Sequence, residues 1–163
     1  MKCTPQMGAS LLILALVLTP GCADRVEVGN LTAEITAIGP IAIDDDGRLA
    51  IAYALRDDEG DDQDVIIEIC EAPGERCGEP DPRGNHGGHT TTNLPTRPAR
   101  TDVGHVFRWD LGCGRVIDNS TVAFELGRPY RVRITIIDGG NERSSTNFTL
   151  GEELGLTTLP DCP

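Results

Sequence analysis

From Leu31 onward, apolar positions along the 163-residue chain recur every second residue, the period of a half-buried strand rather than a helix. Leu31, Ala33, Ile35 and Ala37 alternate with Thr32, Glu34 and Thr36. Leu49, Ile51, Tyr53 and Leu55 alternate with alanines, and Val65, Ile67 and Ile69 form a third set. His105, Phe107 and Trp109 make a fourth, and Val122, Phe124 and Leu126 a fifth. The clearest series is Tyr130, Val132, Ile134 and Ile136, interleaved with Arg131, Arg133 and Thr135; Ser144, Thr146, Phe148 and Leu150 close the run. Gly, Pro, Asn and Asp clusters punctuate these seven candidate strands.

The pattern predicts an all-β fold, a single β-sandwich of about seven strands over residues 30–163. One interval breaks the regular spacing. Residues 71–104 are rich in Pro, Gly and Thr and read as a long loop, the kind that is functional or disordered.

The first residues follow a different rule. Lys2 precedes an eight-residue apolar run, LLILALVL, which Thr19-Pro20-Gly21 ends. This reads as an export signal, too short for the roughly 20 residues that span a bilayer as a helix. No later stretch suggests a transmembrane segment. The run Leu18-Thr19-Pro20-Gly21-Cys22 resembles a bacterial lipoprotein signal, which is cut before a cysteine that carries lipid. That resemblance implies a signal peptide at 1–21, acylation of Cys22 and a polar tether at 22–29. The competing reading is ordinary secretion with a cut after Ala23.

Cysteine parity bears on the choice. Cys3 leaves with the signal, and Cys22 as an ordinary thiol would leave an odd number. Without it four remain, Cys70, Cys77, Cys113 and Cys162, which in an exported domain read as two disulfides. Cys70 and Cys77 enclose only EAPGER and form a plausible pair, leaving Cys113 with Cys162; the other two connectivities stay open.

Charge narrows the partners. Beyond the signal there are 13 arginines against 26 acidic residues, a net charge of −13. Such a surface repels nucleic acid and anionic headgroups and suits solubility and divalent cations.

The segments RLAIAYALRDDEGDD, HVFRWDL and GRPYRVRITIIDGGNERSSTNFTL resemble strands and turns of immunoglobulin-like and fibronectin type III-like modules of bacterial surface proteins. That resemblance implies an immunoglobulin-like sandwich and a binding, spacer or structural role rather than catalysis. It also implies that Tyr130, at the start of its strand, stands where a tyrosine corner forms.

Three features carry candidate chemistry. The run DDEGDDQD places Asp57, Asp58, Glu59, Asp61, Asp62 and Asp64 on one turn, an oxygen-rich set for calcium. It is no EF-hand, because Asp62 stands where that motif needs Gly; the competing reading is a solvated acidic turn. His86 and His89, with His105 and either Glu79 or Asp81, offer zinc or copper ligands without a fixed four-ligand spacing. Finally, TTTNLPTRPART carries Arg97 and Arg100 on a Pro-stiffened loop, suited to docking a partner or covering a sheet edge. No G-x-S-x-G elbow frames Ser120, Ser144 or Ser145.

The expectation is therefore a non-enzymatic cell-envelope lipoprotein, a binding, adhesion or scaffolding module. It would be held to the membrane, on this reading the outer membrane, through Cys22, with a protein partner and no cofactor. The alternatives are a secreted or periplasmic calcium-binding sandwich and, behind it, a small envelope hydrolase.

Overall fold

A computed structural model describes residues 32–74, 76–85, 90–137 and 140–162. The signal, the tether, Cys22, His86 and His89 lie outside the described residues.

The fold is an all-β sandwich of two antiparallel sheets. Strands β1 (Glu34–Ile43), β2 (Leu49–Arg56) and β5 (Val103–Trp109) form a three-stranded sheet in the order β1-β2-β5. The facing sheet has the order β10-β8-β3-β4-β6-β7, with β9 also paired to β8. Its strands are β3 (Val65–Glu71), β4 (Cys77–Pro80), β6 (Arg115–Ile117), β7 (Ser120–Val122), β8 (Pro129–Ile136), β9 (Glu142–Ser144) and β10 (Phe148–Thr149).

The alternation explains the layers. In β2, Leu49, Ile51, Tyr53 and Leu55 point inward and the alanines outward, and β8 does the same with Tyr130, Val132, Ile134 and Ile136. Val65, Ile67 and Ile69 of β3 and Phe107 and Trp109 of β5 complete the core between the sheets. Rings run through it edge to face: Trp109 on Phe124 at 5.0 Å and Phe124 on Tyr130 at 5.2 Å.

The structure differs from the pattern in four places. Residues 71–104 are not one loop: they hold β4, a 3-10 turn at Pro82–Gly84 and a segment paired to Gln63. The hairpin β6–β7 has strands of three residues each, below the length at which alternation registers, and of the fifth series only Val122 lies in it. Phe124 is buried but lies beyond the end of β7, and Leu126 of the same series is exposed. Ser144 and Phe148 belong to separate strands, β9 and β10, so the described residues hold ten strands rather than seven.

Cys70 is bonded to Cys77 across β3 and β4, and Cys113 to Cys162. The second bridge holds the C-terminal strap, whose Leu154, Leu156 and Leu159 pack against the core. Gly112 permits this approach, since a side chain there would collide with the backbone of Pro160 and Asp161.

Candidate functional site

The acidic run and the Arg-Pro loop, some 35 residues apart in sequence, meet at one end of the sandwich. Gln63 and Leu94 exchange two backbone hydrogen bonds, each 2.9 Å, and the amide of Val65 donates to the Thr91 carbonyl. β4 pairs with β3 only at Ile69 and Cys70, so residues 91–94 cover the edge that β4 leaves open. Thr96 donates its hydroxyl to the Asp61 carbonyl at 2.7 Å, and the Asn93 amide donates to Asp64 Oδ1 at 2.7 Å. The turn at Pro98–Thr101 sits on Gly60, where any side chain would strike Pro98.

Within this assembly the six acidic residues have different environments. Asp57 is 2% exposed; its Oδ1 accepts from the Glu59 amide at 2.8 Å and its Oδ2 from the Gln63 side chain at 2.7 Å. Asp58 faces Arg100, with Nε 3.1 Å from Oδ2, and Asp64 caps the Asn93 amide. Asp62 is exposed. Ligand oxygens of Asp57, Glu59 and Asp61 lie within 4.8 Å of one another, the one group of three or more such side chains among the described residues. Of the six expected ligands, three therefore converge.

The arginines divide as well. Arg100 is spent on Asp58 of its own chain, although its side chain remains 79% exposed. Arg97 is exposed and bridges in the backbone to Thr101.

His105 stacks on Tyr53 of the neighbouring strand at 5.5 Å. It hydrogen-bonds the Pro95 backbone and so pins the covering loop to β5. Burial lowers the imidazole pKa, and burial pushes the Tyr53 phenol up to about 12. Asp81 is not free for a metal. Its carboxylate takes three hydrogen bonds from Arg83 and one from the Thr121 hydroxyl at 2.9 Å. The Arg83 side chain is the main reason its carboxyl is held far below the ordinary range, with the Arg83 amide next.

Sequence reasoning passed over Arg115, the only fully buried arginine among the described residues. Its guanidinium lies 5.5 Å from the Phe124 ring centre and 5.2 Å from that of Tyr130. It donates to the carbonyls of Ile69 (2.9 Å) and Arg76 (3.3 Å) and pairs with Glu71, which also faces Arg128 at 3.4 Å. The signal was present: Arg115 shares its face with Ile117 two residues on. Tyr130 accepts a hydrogen bond at Oη from the Glu125 amide at 3.0 Å, five residues upstream.

No family model, curated protein or solved structure matches this chain. What the site can do rests on its own chemistry: a stapled loop pair, a three-carboxylate cluster and a charged side chain buried among rings.

Proposed function

We propose that the protein is an exported, lipid-anchored envelope lipoprotein whose immunoglobulin-like sandwich binds or scaffolds a protein partner at the membrane surface. The observation that carries this reading is the cysteine pairing. All four cysteines among the described residues are taken by Cys70–Cys77 and Cys113–Cys162. Two disulfides in a domain of this size fit an oxidising compartment, and they leave Cys22 no partner within the domain. A cysteine at the end of an export signal with nothing to pair with is what lipid attachment uses. The fold reading is supported by the strand order. β1, β2 and β5 correspond to strands A, B and E of an immunoglobulin-like sandwich, and β3 and β8 to strands C and F. The Tyr130–Glu125 bond matches the tyrosine corner at the start of strand F.

Mass spectrometry of the mature N-terminal peptide tests the anchor. A diacylglyceryl-modified Cys22, and release of the Cys22→Ser chain from membranes, are expected. A free N-terminus at Asp24 would overturn it.

A second reading, calcium binding, is favoured by the convergence of Asp57, Glu59 and Asp61. Calcium takes six to eight oxygens, and three carboxylates repelling one another across a few ångströms gain from a cation between them. Calorimetric titration with calcium alone should give binding that Asp57→Asn, Asp61→Asn abolishes. No heat above dilution at millimolar calcium rejects it.

A further inference from the structure

Six asparagines occur in the chain, and three of them, Asn30, Asn119 and Asn147, have threonine two residues on with no proline between. Serine and threonine together fill 19 of 163 positions, so chance would supply about one such triplet. Asn30 lies outside the described residues. The other two have a shared placement that the sequence does not reveal. The larger sheet runs β10-β8-β3-β4-β6-β7, so β7 forms one edge, and β10 shares the other with β9, which pairs a different stretch of β8. Asn119 immediately precedes β7, and Asn147 immediately precedes β10. Both asparagines are exposed.

We propose that Asn119 and Asn147 are N-glycosylation acceptors, each placing a sugar beside one edge of the seven-stranded sheet. The donor class is an oligosaccharide carried on a polyprenyl diphosphate. The asparagine side-chain nitrogen bonds to the anomeric carbon of the first sugar. The bond from that carbon to the diphosphate oxygen breaks, the lipid diphosphate leaves with the electron pair, and the amide gives one proton to the transferring enzyme. Nothing is oxidised or reduced.

The two edges differ from the edges the fold already protects. β1 carries Pro40, its register slips twice, and the Asn141 and Arg143 side chains bond the main chain of Ile35 and Thr36. β7 has neither proline nor charge in its three residues, Ser120, Thr121 and Val122, and β10 consists of Phe148 and Thr149 alone. A bulky hydrophilic group at each start would do there what Pro40 and Arg143 do at β1.

The geometry also fixes the timing. Asn119 stands with Asp118 in a tight turn with φ of 62° and 51°, and the Thr121 hydroxyl is already bonded to Asp81. Phe148 is buried in the core. A transferring enzyme that reads an extended Asn-x-Thr with a free hydroxyl meets these triplets only before the strands pair, during export. The inference thus rests on the export reading, and the two can fail separately.

Peptide mapping by mass spectrometry of the full chain, recovered from the envelope of its native source, tests it. The expected result is one added oligosaccharide mass on the Asn119 peptide, the Asn147 peptide or both, lost from Asn119→Gln and Asn147→Gln respectively. Thr149→Ser should keep the Asn147 modification and Thr149→Ala should lose it. Because mapping reads peptides, a variant that folds poorly still reports. Unmodified Asn119 and Asn147, sugar only on threonine hydroxyls, or sugar only at Asn30 would each overturn the proposal. If the same sample has a processed N-terminus, the export reading stands and the acceptor assignment alone is lost.

Discussion

The buried Arg115–Glu71 pair permits a prediction whose order is counterintuitive: removing the partly exposed partner should cost more than removing the fully buried one. The Arg115 side chain is 1% exposed and that of Glu71 21%. Glu71→Gln leaves the guanidinium buried with no carboxylate. Removing one partner of a buried pair typically costs about 3–5 kcal/mol, because a charge is left uncompensated. Here the cost is reduced, since Arg115 retains two backbone carbonyls and two ring faces, each ring worth roughly 0.5–2 kcal/mol. The expected loss is about 2–3 kcal/mol. Arg115→Met acts differently. Glu71 is still faced by Arg128 at 3.4 Å and reaches water, so no charge is stranded. The lost bonds to Ile69 and Arg76, about 1 kcal/mol each, are offset by no longer desolvating a cation, and an apolar replacement of similar volume often breaks even. The expected loss is about 1 kcal/mol. Urea unfolding with disulfides intact, alongside calorimetry, measures both. At about 3–4 °C per kcal/mol for a domain of this size, Glu71→Gln should melt roughly 5 °C below Arg115→Met, and the double variant should resemble Arg115→Met. If Arg115→Met proves the less stable of the two, the guanidinium stabilises the core as an ion pair and the reasoning fails.

Tyr130→Phe deletes only the bond from the Glu125 amide and should cost about 1 kcal/mol in the same unfolding assay, with the core rings unmoved by near-UV dichroism. The two disulfides should differ. Cys113–Cys162 closes 49 residues and Cys70–Cys77 only seven, so on loop-closure entropy their replacement by serine should cost about 4 and about 2 kcal/mol. The Asp81 carboxyl is depressed by Arg83, so its contribution is fully present above the unfolded carboxylate pKa, near 3.9, and disappears as the pH falls below it. An unfolding series from pH 6 to 2 should show Asp81→Asn with a flatter acid limb than the parent. His105 is depressed by burial, so its neutral ring stabilises the fold above the unfolded pKa of about 6.5, and that contribution declines on acidification. His105→Phe should therefore remove part of the stability change between pH 7 and 5.

The sandwich was legible because its central strands are long and half-buried. Leu49 to Leu55 and Tyr130 to Ile136 each turn four large side chains to the core, and four in register distinguish a period of two from chance. β4, β6 and β7 were not legible, because three or four residues cannot show a period and their placement comes from partners far away in sequence: Glu79 faces Val116, and Ile69 faces Gly78. Phe124 misled for a related reason. It is buried as the series required, but between Trp109 and Tyr130 in a connection rather than on a strand. At the candidate site the sequence presented two loops and the fold joined them. Nothing local to DDEGDDQD indicates that Gln63 will pair with Leu94, or that three of six carboxylates will turn toward each other while Asp58 takes Arg100.

That union changes what the charge pattern means. An acidic run on a domain of net charge −12 reads first as a solvated surface, and an Arg-Pro stretch on the same domain reads as a hand held out to a partner. Once joined, each supplies the other's backbone needs. The run gives carbonyls and carboxylates to Thr96, Asn93, Ala99 and Arg100, and the loop gives β3 the edge partner that β4 does not reach. The exposed Arg100–Asp58 pair contributes little by itself, under about 1 kcal/mol. The buried contacts beneath it hold the loop: Leu94 in the core, Thr96 buried against the Asp61 carbonyl, and Gln63 bonded to a 2%-exposed Asp57. Arg100→Ala should thus leave the loop in place and stability nearly unchanged, whereas Asp57→Ala removes the carboxylate that accepts from the Glu59 amide and the Gln63 side chain, leaves Gln63 only its 3.2 Å bond to the Asp61 carbonyl, and should loosen residues 91–101 together. Hydrogen exchange reads this directly. Protection at Val65 and Leu94 should survive Arg100→Ala and fall together in Asp57→Ala; loss in the arginine variant would mean that surface charge, not the buried staple, holds the two segments.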